Sequence, residues 1–423
     1  MENFSMGMRK SERRPFSQTI SCYLNVFEST RERKWLNLQA RAIDVSDRGI
    51  GILTEYPLSP GYILWFNDGS GDRAGFVVWC TKLDAEYRAG VKIYKKYVED
   101  LDEQTDIFIN NLEDIEKTCS NPDANPAEIL KAIDIAFSDV LSSCEEFEQK
   151  VKDERLIREA QIRFRERTNP ILSKSYCINR ARTWPQGHQG DYLSLEVVYK
   201  NTPLSDGIGH YLDFYMLNFP FTHSIRNRIN KLEDILREEI NKRQKPNVLN
   251  IACGSCREVF RLSPEIEKTG ANFTCIDLDD DALSFAANRL SHTNISPLFS
   301  NQVNFRKYNA LRMFDNELIM SEFGKQDIIY SVGFFDYLPS NFLSIMLYSL
   351  YNSLNPGGVL IASFKDARQY DHRFFHWIVD WDGFLQRTEE DFWIIFSDAD
   401  IPYSAITQTR EDSGVIVFYI ITK

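Results

Sequence analysis

The stretch Asn247-Val-Leu-Asn-Ile-Ala-Cys-Gly-Ser-Cys-Arg-Glu258 is an apolar strand, then a turn of small residues, then the polar start of a helix. A second apolar stretch, Phe273-Thr-Cys-Ile-Asp277, ends on a carboxylate. A turn of small residues lets the backbone approach a ligand, and an acid at the tip of the neighbouring strand can hold two ribose hydroxyl groups. The two stretches together predict an open α/β sheet that binds a nucleoside-containing cofactor, and therefore an enzyme.

The rest of the C-terminal half fits this sheet. Strands and helices alternate from about residue 175 onward, which is typical of a doubly wound α/β fold. Besides the two stretches above, strands are predicted at 303–307, 327–332, 359–364 and 415–421, and a helix at 225–240.

The N-terminal part shows a different periodicity. Between residues 16 and 97, apolar and polar residues alternate in short runs that are separated by turns at 46–49, 59–61 and 67–71. Short strands at such regular spacing predict a small antiparallel β-barrel.

From about residue 98 to 171 the spacing of apolar residues is helical. Asn125-Pro126 predicts a capped helix start, and the charged run 147–167 predicts one long solvent-exposed helix. This block is expected to be a spacer or an arm through which two copies of the chain dimerise.

Size and composition exclude several classes. A chain of 423 residues predicts two or three domains, and a hydrophobic content of 43% is that of a folded globular protein. The net charge of −12 argues against general nucleic-acid binding. No apolar run approaches the roughly 20 residues of a membrane span, and the N-terminus lacks the apolar core of a signal peptide. The expectation is a cytoplasmic protein.

The pair Cys253-Gly-Ser-Cys256 has the C-x-x-C spacing. Such a pair at the start of a helix is either a redox motif or half of a zinc site. No second pair and no nearby His completes four ligands, so no metal is predicted. The turn needs small residues in any case, which favours a structural role for both thiols.

Two motifs near the N-terminus resemble those of the PilZ domain, the bacterial family that binds cyclic di-GMP. Arg9 and Arg13 match R-x-x-x-R, Arg14 follows directly, and Asp44-Val-Ser-Asp-Arg-Gly49 matches [DN]-x-S-x-x-G. Arginine side chains pair with phosphate oxygens and stack on guanine. The resemblance implies that Arg9, Arg13, Arg14, Asp44, Ser46 and Gly49 bind cyclic di-GMP. Residues 1–48 contain nine Lys/Arg and six Asp/Glu, an excess of positive charge that suits this anion.

Residues 175–423 resemble the class I S-adenosylmethionine-dependent methyltransferases. The resemblance rests on the segments 248–256, Asp277, 307–310, 327–333 and Asn355-Pro-Gly-Gly358. The family's first motif commonly has an acid and three glycines where this chain has Asn250, Ala252, Gly254 and Cys256. The resemblance implies that the cofactor contacts Asn250, Ala252, Cys253, Gly254, Asp277, Leu278, Asp279, Asn309, Ala310, Ser331 and Gly333.

A narrower similarity links residues 185–192, 331–338 and 376–381 to a bacterial group labelled for 3-hydroxypalmitic acid methyl ester biosynthesis. It implies a carboxylate acceptor on a hydroxy fatty acid or another small molecule. A carboxylate is ionised at pH 7 and needs no base, whereas a hydroxyl or amine acceptor would need one. The candidate bases are Asp191, His188 and Asp336, and each has the alternative of a purely structural role.

The sequence thus predicts a cyclic di-GMP-responsive methyltransferase with a PilZ-like barrel (1–98), a helical connector (99–174) and a methyltransferase domain (175–423). The rival prediction is a non-catalytic receptor or adaptor, in which the methyltransferase fold binds S-adenosylmethionine as a sensor or docking module. The substituted first motif supports that rival. A third alternative is a redox switch through Cys253 and Cys256.

Overall fold

The computed structural model describes residues 14–27, 33–46, 49–67, 72–93, 95–291, 301–381 and 383–423. The chain divides into two compact units, Met1–Ile171 and Leu172–Lys423. The first contains a β-barrel and a group of helices, and the second contains a seven-stranded sheet with helices around it.

The barrel confirms the predicted antiparallel architecture. Its strands are β1 (Arg14–Phe27), β2 (Arg33–Ser46), β3 (Gly49–Thr54), β4 (Ile63–Asn67), β5 (Asp72–Leu83) and β6 (Glu86–Ile93). They follow the order β1-β2-β3-β6-β5-β4, and pairing of β1 with β4 closes the barrel. Because side chains alternate between the faces of a strand, Ile20, Cys22 and Leu24 all point into the barrel core.

Three helices follow the barrel: α1 (Lys95–Cys119), α2 (Pro126–Val151) and α3 (Glu154–Leu172). The predicted start of α2 is confirmed, because the Asn125 side chain accepts a hydrogen bond from the Ala127 amide at 3.1 Å and Pro126 opens the helix. The prediction of one continuous helix over 147–167 is wrong. Lys152 adopts a left-handed conformation with φ of 51° and ends α2.

The predicted exposure of that charged run is also wrong in part. Leu156 and Phe164 of α3 are buried, and the Phe164 ring stacks on Phe108 of α1 at 6.0 Å between centroids. Phe108 also packs edge-on against Phe137 of α2, at 5.1 Å. The three helices therefore share an apolar core beneath charged outer faces.

The C-terminal unit is built on one mixed sheet. Its strands are β7 (Asn247–Ile251), β8 (Asn272–Asp277), β9 (Val303–Lys307), β10 (Gln326–Val332), β11 (Leu354–Lys365), β12 (Ile406–Arg410) and β13 (Ile416–Thr422). The order is β12-β13-β11-β10-β7-β8-β9, and β13 runs antiparallel to both of its neighbours. The six strands predicted from sequence are all present. The edge strand β12 was missed because its Thr-Gln-Thr centre is polar.

The order of the strands marks where a ligand should bind. The chain runs outward from β7 to β8 and β9 on one side, and then to β10 and β11 on the other. At such a reversal the connections leave a crevice at the carboxyl ends of the strands. The turns after β7, β8 and β10 meet at this edge.

Helices cover the sheet. They are α4 (Tyr176–Thr183), α5 (Tyr192–Lys200), α6 (Ile208–Leu217), α7 (Pro220–Asn241), α8 (Arg257–Arg261), α9 (Ser263–Thr269), α10 (Asp280–Ser291), α11 (Asn316–Glu322), α12 (Ser340–Asn352) and α13 (Glu389–Asp398). The predicted helix at 225–240 lies within α7. None of the helices in the described ranges has the length and apolar composition needed to cross a membrane.

Candidate active site

The turn after β7 keeps the backbone of a glycine-rich loop. Ala252, Gly254 and Cys256 occupy the three positions at which the sequence pattern has glycine, and their φ angles are 54°, 52° and 47°. An L-residue in this left-handed conformation costs roughly 1–2 kcal/mol. Ala252 and Cys256 therefore add strain, but both adopt the left-handed conformation that glycine favours at these positions, which weakens the main argument for a degenerate site.

A buried carboxylate holds this turn in place. Glu196 of α5 is 2% exposed and accepts hydrogen bonds from Ser255 Oγ at 2.6 Å and from Arg257. Arg289 of α10 pairs with the same carboxylate at 2.5 Å. Burial raises the pKa of Glu196, but the hydrogen bonds from Arg257, Arg289 and Ser255 outweigh it, so the pKa lies below its ordinary value. Glu196 thus ties α5, the turn and α10 together as an anion.

Asp277 connects the turn to the end of β8. Its Oδ2 accepts a hydrogen bond from the Gly254 amide at 2.8 Å, and its Oδ1 accepts one from the Asp279 amide at 3.0 Å. A carboxylate offers about four lone-pair positions, so capacity remains for two further donors. Asp277 is half-buried and thus accessible. These are the requirements for holding the two hydroxyl groups of a ribose.

Gly254 leaves room for a ligand beside Asp277. Within 4 Å of the position that a Cβ on Gly254 would take, the described part of the chain has only the Cβ of Tyr192, at 3.9 Å. Burial, together with the nearby charges of Asp281 and Asp279, raises the pKa of Tyr192, so its hydroxyl stays protonated. A ligand can therefore approach the backbone of the turn closely at Gly254.

The residues after Asp277 also suit a nucleoside. Leu278 is 60% exposed, so its apolar side chain is available for contact with a base. Asp279 Oδ1 caps the Asp281 amide at 2.8 Å, while its buried Oδ2 lacks a hydrogen-bond partner among the described residues. His188 Nε2 lies 4.0 Å from that oxygen. The segment before α5 therefore borders the same crevice.

Asn309 and Ala310 follow β9 at the same edge. Asn309 is exposed, and its Oδ1 caps the Leu311 amide at 3.0 Å, which leaves its Nδ2 as a donor. Ala310 is buried at the start of the short 3₁₀ helix Ala310–Phe314. Asn309 is thus the residue of the pair that can meet a ligand.

Two of the predicted cofactor residues make their hydrogen bonds inside the core. Asn250 donates from Nδ2 to Glu258 at 2.9 Å, and Tyr330 donates to the same carboxyl group at 2.8 Å. Ser331 is fully buried and donates to the Ile251 carbonyl at 2.9 Å. Burial raises the pKa of Glu258. Asn250 and Ser331 therefore fasten β7 to its neighbours.

The thiols in the turn are also structural. Cys253 and Cys256 are buried near Cys275, and burial raises the pKa of Cys253 to about 12. Burial likewise raises the pKa of Cys256 well above its ordinary value. A redox-active cysteine needs an accessible thiol with a lowered pKa. The geometry therefore favours the structural role of this pair over a redox switch.

The three candidate bases have different surroundings. Asp191 is 2% exposed, caps α5 at the Leu193 and Ser194 amides at 2.9 and 3.0 Å, and pairs with Arg180 at 2.8 Å. Asp336 is buried and pairs with the Lys365 ammonium. His188 is half-exposed, and its Nδ1 lies 3.2 Å from the Gln189 carbonyl oxygen. The geometry favours structural roles for Asp191 and Asp336.

Strand pairing brings the barrel motif residues to one end of the barrel. Arg14 of β1 pairs with Val45 of β2, and Ser46 of β2 pairs with Gly49 of β3. Asp44 of β2 pairs with Pro15 of β1 and forms an ion pair with Arg88 at 3.4 Å. Arg9 and Arg13 lie outside the described residues.

Two buried charged residues near this edge of the sheet were not predicted from the sequence. Glu196 gave no signal, because its partners Arg257 and Arg289 lie far along the chain. Arg228 did give one. It occupies the apolar face of α7 together with Ile225 and Leu232, where an arginine is out of place.

Comparison with known proteins agrees with this geometry. Residues 249–360 match a sequence family described as a methyltransferase domain, and they span the turn, Asp277 and the strands up to β11. The C-terminal unit therefore contains a methyltransferase domain, and the predicted enzyme class is confirmed. No curated protein matches the chain in sequence.

Several solved structures resemble part of this chain at low sequence identity. A possible exported protein from Bordetella parapertussis is 13% identical, covers 76% of this chain and 96% of its own, and has a TM-score of 0.47. Magnesium protoporphyrin IX methyltransferase from Synechocystis PCC 6803 with bound SAM is 16% identical over 49% and 84% of the chains, with a TM-score of 0.35. An S-adenosylmethionine-dependent methyltransferase from Clostridium acetobutylicum ATCC 824 is 16% identical over 46% and 91%, with a TM-score of 0.33.

Proposed function

We propose that the C-terminal unit binds S-adenosylmethionine at the turn 252–256 and transfers its methyl group to a small-molecule or lipid acceptor. The observation that carries this proposal is the hydrogen bond from the Gly254 amide to Asp277. This hydrogen bond holds the backbone of the turn close to a half-buried carboxylate, which can still accept two more hydrogen bonds. Leu278 and Asn309 flank the position that the adenine would take.

The acceptor in this proposal is a carboxylate, such as that of a hydroxy fatty acid. Asp191 and Asp336 are both held in buried ion pairs, which leaves half-exposed His188 as the remaining candidate base. An ionised carboxylate needs no base. The sulfonium of the cofactor supplies an activated methyl group, so the protein has to align the acceptor and exclude water.

The barrel is proposed to bind cyclic di-GMP and to regulate this reaction. The support is that Asp44, Ser46 and Gly49 of the second motif lie at the same end of the barrel as Arg14. Arg9 and Arg13 would complete the site with guanidinium groups, which pair well with phosphate. In this proposal 1–98 is the regulatory domain, 99–174 the connector and 175–423 the catalytic domain.

Transfer of labelled methyl groups tests the catalytic proposal. The full chain is incubated with S-adenosylmethionine labelled in its methyl group and with fractionated bacterial lipids and small molecules, with and without cyclic di-GMP. We expect label in an ester that mild alkali hydrolyses, and no transfer by Asp277→Ala. The matched control is Asp398→Ala, because Asp398 is an exposed aspartate at the end of α13. Transfer by Asp277→Ala at the wild-type rate would contradict the proposed cofactor site.

A further inference from the structure

Arg228 is a buried cation to which the described residues offer no counter-ion. It is 4% exposed, its Nε is buried without a hydrogen-bond partner, and it takes part in none of the hydrogen bonds or ion pairs of the described chain. The other arginines of α7 differ. Arg226 donates to the Leu217 carbonyl at 2.8 Å, and Arg237 pairs with Glu265 at 2.8 Å. A buried charge without a partner is strongly unfavourable, so its presence indicates a ligand that supplies the missing anion.

The guanidinium lies at the crevice of the sheet. A Cβ placed on Gly333 would be 3.0 Å from Arg228 Nη1, so the guanidinium packs against the backbone there. Gly333, with φ of 101°, directly follows β10, the strand that pairs with β7. Arg228 therefore reaches the same edge of the sheet as the turn 252–256.

The other buried cations of this region have partners of their own. Lys365 pairs with Asp336, and Arg387 donates to the carbonyl oxygens of Phe335 and Leu338. Burial lowers the pKa of Lys365, Asp336 opposes that shift, and the charge of Arg228 adds to it. Asp336, the carboxylate that acts on both Lys365 and Arg387, is therefore already paired with Lys365.

The hydroxyl group of Tyr337 lies close enough to Arg228 for the guanidinium charge to lower its pKa, although burial outweighs this effect. Tyr337 accepts a hydrogen bond from Trp381 Nε1 at 2.9 Å, and burial raises the pKa of Tyr337, so its own proton is retained. A Cβ on Gly190 would lie 3.2 Å from the Tyr337 oxygen and 2.7 Å from the Trp381 ring. Gly190 thus lets the segment before α5 approach this pair closely, and the aromatic rings give the position an apolar wall.

We propose that Arg228 binds the carboxylate of the methyl acceptor and that Tyr337 is a second donor to it. This inference rests on the proposed function and specifies its acceptor as an organic acid with an apolar portion. One carboxylate oxygen is held by the guanidinium, while the other attacks the methyl carbon. The new C–O bond forms as the C–S bond breaks, and the sulfur keeps the electron pair as a neutral thioether.

Methyl transfer also changes the electrostatic environment of Arg228. The product ester carries no charge, so the guanidinium loses its anionic partner when the methyl group is transferred. The site should therefore bind the acid far better than its methyl ester, which favours release of the product. A fatty acid, its primary amide and its methyl ester form a matched series for this prediction.

Titration calorimetry on the full chain tests the inference in two stages. S-adenosylhomocysteine is titrated first, and 3-hydroxydodecanoate is then titrated into the complex, with the amide and the methyl ester as neutral probes. We expect the acid to bind and both neutral probes to bind at least tenfold more weakly. Arg228→Met should weaken acid binding by roughly 10- to 100-fold, because hydrogen bonds to charged groups are lost. Arg228→Lys should bind the acid with an affinity between those of the wild type and Arg228→Met.

Stability separates a binding role from a structural one. Removing an unpaired buried charge should leave the melting temperature of Arg228→Met unchanged or higher, with the affinity for S-adenosylhomocysteine unchanged. The control, Arg237→Met, should keep acid binding at the wild-type level. Equal affinity of Arg228→Met for the acid would overturn the inference, as would a large fall in its melting temperature or acid affinity no better than that of the amide. Absence of S-adenosylhomocysteine binding to the wild type would instead overturn the proposed function.

Discussion

The two proposed ligand sites of this chain are built in different ways. In the C-terminal unit, the turn after β7 presents its backbone to the ligand, and the carboxylate of Asp277 completes the site. At the end of the barrel, Asp44, Ser46 and the arginines near the N-terminus would bind through their side chains. The first site depends on the path of the chain, and the second depends on the identity of particular residues.

This difference explains why sequence motifs carry different weight in the two units. Ala252 and Cys256 depart from the glycine pattern, yet their φ angles of 54° and 47° reproduce the turn. A site made of backbone can therefore tolerate substitutions as long as the surrounding contacts hold its shape. A site made of arginine forks has no such tolerance, because its donors are the side chains themselves.

The largest expected effect comes from removing the support of the turn. Glu196→Gln leaves Arg257 and Arg289 without their shared carboxylate, and breaking a buried ion pair costs about 3–5 kcal/mol. Chemical denaturation of the C-terminal unit should show a fall of this order in its free energy of unfolding. Glu238→Gln is the control, because the pair of exposed Glu238 with Lys242 should contribute less than about 1 kcal/mol.

The same residue predicts a dependence on pH. The pKa of Glu196 is lowered in the folded state, so its stabilising contribution is present above the unfolded-state pKa of about 4.3. It is lost as the pH falls through the folded-state value. The free energies of unfolding of the wild type and Glu196→Gln should therefore converge as the pH is lowered from about 4.3 to below the folded-state pKa. If the difference in free energy of unfolding between the two proteins stays the same at low pH, Glu196 is not the group whose protonation causes the pH dependence.

The next effect concerns the backbone approach at Gly254. Gly254→Val places a β-branched side chain at φ of 52° and fills the space beside the turn. Calorimetry should show a loss of roughly 10- to 100-fold in affinity for S-adenosylhomocysteine, which corresponds to about 1.4–2.7 kcal/mol. Gly324→Val is a control, because Gly324 also has a positive φ but lies before β10, away from the turn. Unchanged affinity in Gly254→Val would contradict close approach of the ligand.

A smaller effect is expected at the barrel. Asp44→Ala should weaken cyclic di-GMP binding by roughly tenfold, the contribution of one or two hydrogen bonds. Arg13→Ala should weaken it at least as much if the N-terminal arginines complete the site. Arg41→Ala is the matched control on β2, because its exposed side chain pairs with Glu86 instead. Equal affinity for all three variants would remove the proposed barrel site.

The smallest expected effect tests directly whether the turn tolerates alanine in place of glycine at Ala252. Ala252→Gly relieves the left-handed strain of an L-residue and should stabilise the C-terminal unit by up to about 1 kcal/mol. Its affinity for S-adenosylhomocysteine should match that of the wild type, because the shape of the turn does not change. A tenfold gain in affinity would instead show that Ala252 holds the turn away from its binding conformation.

Much of this architecture was predictable because it depends on local pattern. Alternation of apolar residues predicted the barrel, and an apolar strand ending in Asp277 predicted the carboxyl edge of the sheet. The break at Lys152 was missed because neither Gly nor Pro marks it. Edge strand β12 was missed because its polar residues do not need to be buried.

The side-chain roles within the site were less predictable. Sequence alone could not separate a base from a helix cap at Asp191, since both roles use an acid before a helix. The ion pair between Asp191 and Arg180 favours the helix cap, and this pair is visible only in the folded structure. Arg228 could have been found as the single cation on the apolar face of α7, although its position beside Gly333 depends on the fold.

The central claim is that the turn after β7 and Asp277 form a cofactor site despite the missing glycines. Calorimetric titration of S-adenosylmethionine into the full chain and into Asp277→Ala tests it most directly, with thermal melts to verify that both are folded. We predict one site per chain in the wild type and no measurable binding to Asp277→Ala. A folded wild type that does not bind S-adenosylmethionine, or a variant that binds it equally well, would contradict the claim.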